Sequence, residues 1–201
     1  MESRVSDAGQ MTKYTFTKDW FHWAPDVWTQ LIPVMPGKMS FLEIGSFEGR
    51  SAIWIAENLA GPDAEITCVD TWEGGEEHKI LGTDVSGSEA LFDANTSQCD
   101  AAVTFTKIKA TSYEALASMT KKRFDFIYID GSHVGKDVLT DACMAWPLLK
   151  AGGLMVFDDY LWGDPRDVLH RPKLAIDAFV NIFGEEIEPR YSGYQLIMSK
   201  K

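Results

Sequence analysis

Asp130, His133, Asp158 and Asp159 are the residues of this 201-residue chain whose types and spacing could carry chemistry. Asp130 closes the apolar run at 124–130, and Asp158 with Asp159 closes the one at 153–158. If those runs are neighbouring strands, about 4.8 Å apart, their carboxyl ends deliver two or three carboxylates to one small volume. Like charges about 4 Å apart repel by roughly 1 kcal/mol in water and by several at an effective dielectric of about 20. A hard divalent cation, Mg²⁺ most naturally, would offset that repulsion and leave coordination positions for water and substrate oxygens. The alternative has Asp130 meeting a ligand or a loop N–H while Asp158 and Asp159 cap the next turn. His133, three residues past Asp130, either anchors its loop by hydrogen bonding or acts as a general base, since imidazole titrates near neutrality.

A second group lies earlier. Phe41-Leu42-Glu43-Ile44-Gly45-Ser46-Phe47-Glu48-Gly49-Arg50-Ser51 places an acid and two glycines between an apolar run and a helix start. Glycine lets backbone approach a ligand closely, and free N–H groups at the helix start favour an anionic group there. Asp70 ends the next apolar run, followed by Thr71 and Trp72; a carboxylate at that place either ends a turn or accepts both hydroxyls of a ribose. Thr111 and Ser112, after a third run, can line the edge of a base.

These residues need a scaffold that brings strand ends together, and the periodicity supplies one. Apolar, β-rich runs at 40–44, 65–70, 103–109, 124–130 and 153–158 alternate with helix-like stretches at 50–60, 87–98, 112–120 and 135–149. Such alternation predicts parallel pairing with right-handed crossovers, an open doubly wound Rossmann-like sheet. After a helix at 172–183, runs at 186–191 and 194–199 flank Ser192-Gly193 and predict a closing antiparallel hairpin, seven strands in all. In such sheets ligands sit beyond the carboxyl ends of the strands, where the strand order reverses. Residues 1–16 read as a polar mobile lead, and 18–33, rich in Trp and Phe and broken by Pro25, as one or two short helices docked on the body or closing over a cleft.

Composition narrows the partners. A net charge of −11 argues against a nucleic-acid substrate, since phosphate-tracking surfaces carry basic patches. No run approaches the roughly 18 apolar residues of a membrane span, and the first thirty residues lack a signal-peptide core. Cys68, Cys99 and Cys143 are odd in number and form no Cys-x-x-Cys pair, as expected of buried thiols in a reducing cytoplasm. Glu76, Glu77 and His78, within a long polar loop at 73–86, read as a solvated charge run, with metal binding as the alternative. Tyr160 and Trp162, in a second loop at 160–172, either pack or line an acceptor ring.

Four ordered motifs carry a resemblance. The turn Glu43 to Ser51, Val69-Asp70-Thr71-Trp72, the run Phe124 to His133, and Leu148 to Asp159 with Gly152-Gly153 inside it resemble class I S-adenosylmethionine-dependent methyltransferases. The nearer likeness is to the small-molecule branch of catechol-type and sugar O-methyltransferases, and it covers roughly 38–200. It implies that Glu43, Gly45, Phe47, Gly49 and Ser51 shape the methionine side of a cofactor pocket. Asp70 would hold the ribose, Thr71 next to it would also meet the cofactor, and Trp72, Thr111 and Ser112 would lie by the adenine. It further implies that Asp130, Asp158 and Asp159 bind a divalent metal, with Asp130 also touching cofactor and His133 standing where the catechol type carries a lysine base. Asp159 replaces the catechol type's amide, as in the sugar enzymes. The expected organisation is a lead and aromatic cap at 1–36 and a methyltransferase domain at 37–201 acting on a small hydroxylated metabolite or sugar; a homodimer is left open. Dinucleotide oxidoreductases of similar fold prefer a Gly-x-Gly-x-x-Gly turn, absent here, and a non-catalytic cofactor-binding module is the other rival.

Overall fold

Alternating side-chain directions along each central strand send half the apolar residues to either face of one sheet. The computed structural model describes residues 13–121, 123–163 and 167–201. Its elements are, in order, α1 (Ala24–Leu31), β1 (Ser40–Ile44), α2 (Arg50–Asn58), β2 (Glu65–Asp70), α3 (Glu76–Leu81), α4 (Ser88–Ser97), β3 (Thr104–Lys109), α5 (Ser112–Ser118) and β4 (Phe124–Ile129). There follow α6 (Gly135–Ala145), β5 (Leu149–Phe157), α7 (Pro172–Phe183), β6 (Ile187–Ser192) and β7 (Leu196–Lys200).

The seven strands run in the order β3-β2-β1-β4-β5-β7-β6, parallel except for β7, which pairs antiparallel with both β5 and β6. The doubly wound sheet with its closing hairpin is therefore the observed fold. Phe41, Phe126, Tyr128, Val156 and Ile197 pack on one face with Trp28 of α1 and Ile55 of α2. Leu42, Ile127, Ile129, Met155 and Phe157 pack on the other with Trp146, Ile176 and Phe179. Burial on both faces explains why β1 and β4 are mostly apolar, whereas edge strand β3 alternates.

Three features depart most from expectation. The fifth strand starts at Leu149, not 153, because Gly152 adopts a left-handed φ of 78° and a bulge carries the strand on past it. The sixth helix stops at Ala145, where Pro147 turns the chain through a short 3-10 segment. Within the loop at 73–86, Glu76–Leu81 forms a short helix closed by left-handed Gly82.

Of the polar lead, residues 1–12 lie outside the described residues. Thr15 is held by Asn95, its N–H donating to Oδ1 at 2.8 Å. Among the described residues no helix is long and apolar enough to cross a membrane.

Candidate active site

The order reverses between β1 and β4, and there the carboxyl ends open into a crevice. Backbone pairing sets its three walls. Gly45 N–H donates to Val69 O, Asp130 N–H to Ile44 O and Asp158 N–H to Ile129 O, at 2.8, 2.8 and 2.9 Å. The turns after β1, β4 and β5 thus stand side by side around a cavity of about 1230 Å³. Single small-ligand pockets run to roughly 1,000 Å³, so two molecules can share this one.

Gly45, Phe47, Asp70, Thr71, Trp72, Thr111 and Ser112 line one half, as the sequence reading requires. Gly45 has φ 89°, and a Cβ there would lie 1.9 Å from Asp130 O, so only glycine allows β1 and β4 to end so close together. Asp70 braces the turn: Oδ2 accepts the Phe47 N–H at 2.8 Å and Oδ1 the Trp72 N–H at 2.7 Å. The Trp72 indole donates to Phe47 O at 2.7 Å while its ring packs on Phe92. Thr111 caps α5, its hydroxyl oxygen accepting the Glu114 N–H.

Glu43, Gly49 and Ser51 do not reach the cavity wall. They form the underside of the turn, where Ser51 donates to Glu43 Oε1 at 2.5 Å and left-handed Gly49 opens α2. Glu43 is fully buried, and burial pushes its pKa up to about 7.

The other half holds Asp130, His133, Asp158 and Asp159, together as expected. Burial, and then the charges of Asp158 and Asp159, hold Asp130 well above the usual carboxylate range. Asp158 is raised to about 6, by burial and then by the Asp159 charge. The Tyr128 hydroxyl bridges the two acids, hydrogen-bonding to Asp158 Oδ2 and lying 3.1 Å from Asp130 Oδ2. Gln195 Nε2 donates to the same Asp158 oxygen at 2.9 Å, and its own Oε1 accepts the Trp28 indole N–H at 2.6 Å. Asp159 holds His133, Oδ2 to Nε2 at 2.8 Å, and accepts the Tyr194 hydroxyl at 2.9 Å. His133 Nδ1 is buried without a partner. Burial opposes protonation of that imidazole, but the Asp159, Glu77 and Asp158 carboxylates outweigh it and raise its pKa.

Among the described residues no group of three His, Cys, Asp or Glu side chains stands arranged around a metal position. The donor set nonetheless suits a hard cation. Asp130, Asp158 and Asp159 offer only carboxylate oxygens, and the raised pKa values are what crowded carboxylates show when no cation stands between them.

Several participants escaped the sequence reading. Tyr128 was read only as part of an apolar run, and Tyr194 and Gln195 carried no motif signal. Glu77 is 6% exposed rather than solvated, its carboxylate lying over the α-carbon of Gly75 on the cavity wall. Trp162 stacks obliquely on His133 with centroids 4.5 Å apart, whereas Tyr160 turns its hydroxyl to Asp177. Asp164 and Arg166 of that loop lie outside the described residues. Trp20, on the cap side, packs over Phe47 and His78.

A family model described as a methyltransferase domain matches residues 42–160. No curated protein matches the chain in sequence. Among solved structures, a Clostridium thermocellum protein provisionally assigned as an rRNA methylase superposes with a TM-score of 0.66 at 11% identity, covering 92% of this chain and 98% of its own. The O-methyltransferase TomG from Streptomyces achromogenes, solved with S-adenosylmethionine, superposes with a TM-score of 0.57 at 16% identity, over 81% of this chain and 73% of TomG. MycE, a methyltransferase of the mycinamycin biosynthetic pathway in complex with Mg and S-adenosylhomocysteine, gives 0.59 at 15% identity, over 91% of this chain and 51% of MycE. At these identities the likeness is one of fold.

Proposed function

The chain belongs to the methyltransferase-domain family, and on that premise we propose that it transfers the methyl group of S-adenosylmethionine to a hydroxyl oxygen of a small acceptor, assisted by a divalent cation. The observation that carries this reading is one cavity with a braced glycine turn at one end and Asp130, His133, Asp158 and Asp159 at the other. S-adenosylmethionine supplies an activated sulfonium methyl, so the protein's share is alignment and exclusion of water. Asp70 and Thr71 stand where ribose hydroxyls would bind, and Gly45 with Phe47 where the amino-acid tail would approach backbone. Glu43, Gly49 and Ser51 keep that turn in shape from beneath.

Asp130, Asp158 and Asp159 are the residues that would hold Mg²⁺. When bound, the cation makes a nearby hydroxyl more acidic. MycE was solved with Mg, which supports the assignment by analogy. His133 accepts the acceptor's proton: Asp159 keeps hydrogen on Nε2, which leaves the Nδ1 lone pair free. Trp162 over His133 and Trp20 over Phe47 shield the two ends from solvent.

The fit of a Clostridium thermocellum protein assigned as an rRNA methylase does not redirect the substrate, because a net charge of −11 opposes phosphate tracking. Only Cys68 of the three cysteines is buried, against the expectation of three buried thiols, Cys99 being half-buried and Cys143 exposed; all three are free, which suits a reducing cytoplasm. Calorimetric titration with S-adenosylhomocysteine, followed by methyl transfer across a panel of small polyhydroxylated acceptors, tests the proposal. Binding that survives Asp70→Ala unweakened would count against the cofactor site. Cofactor binding with no transfer to any acceptor would favour a non-catalytic module.

A further inference from the structure

Residues 13–23 belong to no helix or strand, yet they lie along the body as a strap. Backbone polar groups in such a segment need partners, and here side chains supply them. Asn95 of α4, fully buried, accepts the Thr15 N–H at Oδ1 and donates from Nδ2 to Thr15 O, both at 2.8 Å. Glu48, 2% exposed, accepts twice from Thr17, from its N–H at 2.7 Å and from its hydroxyl at 2.5 Å. Arg50 at the start of α2 donates to Lys18 O at 3.1 Å. Asn95 Nδ2 also donates to Glu48 O at 3.0 Å, which ties all of these groups to the glycine turn.

Past these bonds the strap crosses the cavity. Lys18, Asp19 and Trp20 line it, and Phe21 then sinks into the core, edge-on to Trp28 with centroids 5.2 Å apart. Between the two anchors the Trp20 ring lies 5.0 Å from that of Phe47 and 5.5 Å from that of His78, and it is 49% exposed. One side of the indole closes the cavity while the other meets water. The Phe21 anchor is continuous with the core. The bonds at Thr15 and Thr17 are polar and lie on exposed residues, so this is the end that opens at lower cost.

We propose that Glu48 and Asn95 latch the strap to the cofactor turn, and that release of this latch moves Trp20 aside to admit S-adenosylmethionine and discharge the spent cofactor. The inference rests on the cofactor reading above. It makes Glu48 a positioning residue that acts through Trp20, for Glu48 does not reach the cavity wall whereas its neighbour Phe47 does. A latch that is closed in both the free and the loaded protein slows entry and exit by one factor and leaves the equilibrium between them unchanged.

The test is stopped-flow binding of S-adenosylhomocysteine to the full chain, with the equilibrium constant taken from calorimetry. Intrinsic fluorescence follows binding, since Trp72 on the cavity wall remains when Trp20 is replaced. Glu48→Gln, which loses a charge-assisted acceptor, should speed association and release about tenfold each, with Kd held within about threefold. Thr17→Val, on an exposed residue, should move both rates the same way by a smaller factor. Trp20→Ala should speed both by itself, and Glu48→Gln added to it should change neither rate further. Thermal melting identifies any variant that has lost its fold, and Thr17→Val carries the test if Glu48→Gln has. Rates unchanged in the folded latch variants overturn the inference and leave the cofactor site standing. Faster release with unaltered association, or additive effects in the double variant, also overturn it, because Glu48 would then shape the turn without the strap. Failure of wild type to bind S-adenosylhomocysteine overturns both the latch and the cofactor reading.

Discussion

His133 Nε2 and Asp159 Oδ2 stand 2.8 Å apart although their loops leave different strands, β4 and β5. That contact fixes which ring nitrogen is free. His133→Gln should lower kcat by about 10²- to 10⁴-fold, the usual worth of a positioned base. S-adenosylhomocysteine affinity should stay within about twofold, since the imidazole serves the acceptor. Steady-state kinetics with any acceptor found active, beside calorimetry, checks both; an undiminished kcat would remove His133 from the proton path.

Crowded acids make a trade between stability and activity. Asp130 is half-buried and crowded by Asp158 and Asp159, so Asp130→Asn removes a charge that the site opposes while keeping an oxygen for the Tyr128 hydroxyl. The variant should melt a few degrees higher than wild type, corresponding to about 1 kcal/mol or more, yet transfer methyl groups poorly. Millimolar Mg²⁺ should raise the wild-type melting temperature and leave the variant unmoved. Methyl transfer that persists after exhaustive chelation would take the cation out of the mechanism.

Gly45 permits no side chain. Gly45→Ala places a Cβ 1.9 Å from Asp130 O at a φ of 89°, and every atom it meets is backbone of Asp130 or Gly131, just past the end of β4. A loss of about 3 kcal/mol or more is expected, read as a shifted urea midpoint, together with loss of cofactor binding. Near wild-type stability would mean the β1 and β4 ends separate more easily than their pairing suggests.

Glu43 gives the fold a pH dependence. Its pKa of about 7 lies above the ordinary value of 4.5, so the folded chain keeps a proton there that the unfolded chain has released. This contribution is full below about pH 4.5, falls as pH rises, and is lost above about pH 7, on the order of 3 kcal/mol across the window. Glu43→Gln, permanently neutral and still able to accept from Ser51, should flatten that part of the stability curve between pH 5 and 8. Superimposable slopes for the two proteins would show that Glu43 is ionised in the fold.

Much of the fold was legible because its signals are local. Apolar runs such as Phe124 to Ile129 are buried on both faces, and Gly45, Gly49 and Asp70 occur where a strand-to-helix turn demands them. The acids at 130, 158 and 159 could be brought together only on the condition that their strands are neighbours, a condition that the β4–β5 pairing meets. Tyr194 and Gln195 could not, because their roles depend on β7 inserting between β5 and β6, which no periodicity encodes. Glu77 looked solvated because burial of its carboxylate requires the bare α-carbon of Gly75 two positions earlier. Trp72 was readable as a strand-end aromatic, but its indole bond to Phe47 O is a tertiary contact across 25 residues.

The same inserted strand orders events during synthesis. Asp130, Asp158 and Asp159 leave the ribosome well before Tyr194 and Gln195, the residues that hydrogen-bond to Asp159 and Asp158. Until β7 arrives, β5 is an open edge and the acids can keep the hydration they later give up. Burial of Asp158 and Asp159 is thereby completed only when β7 pairs with β5.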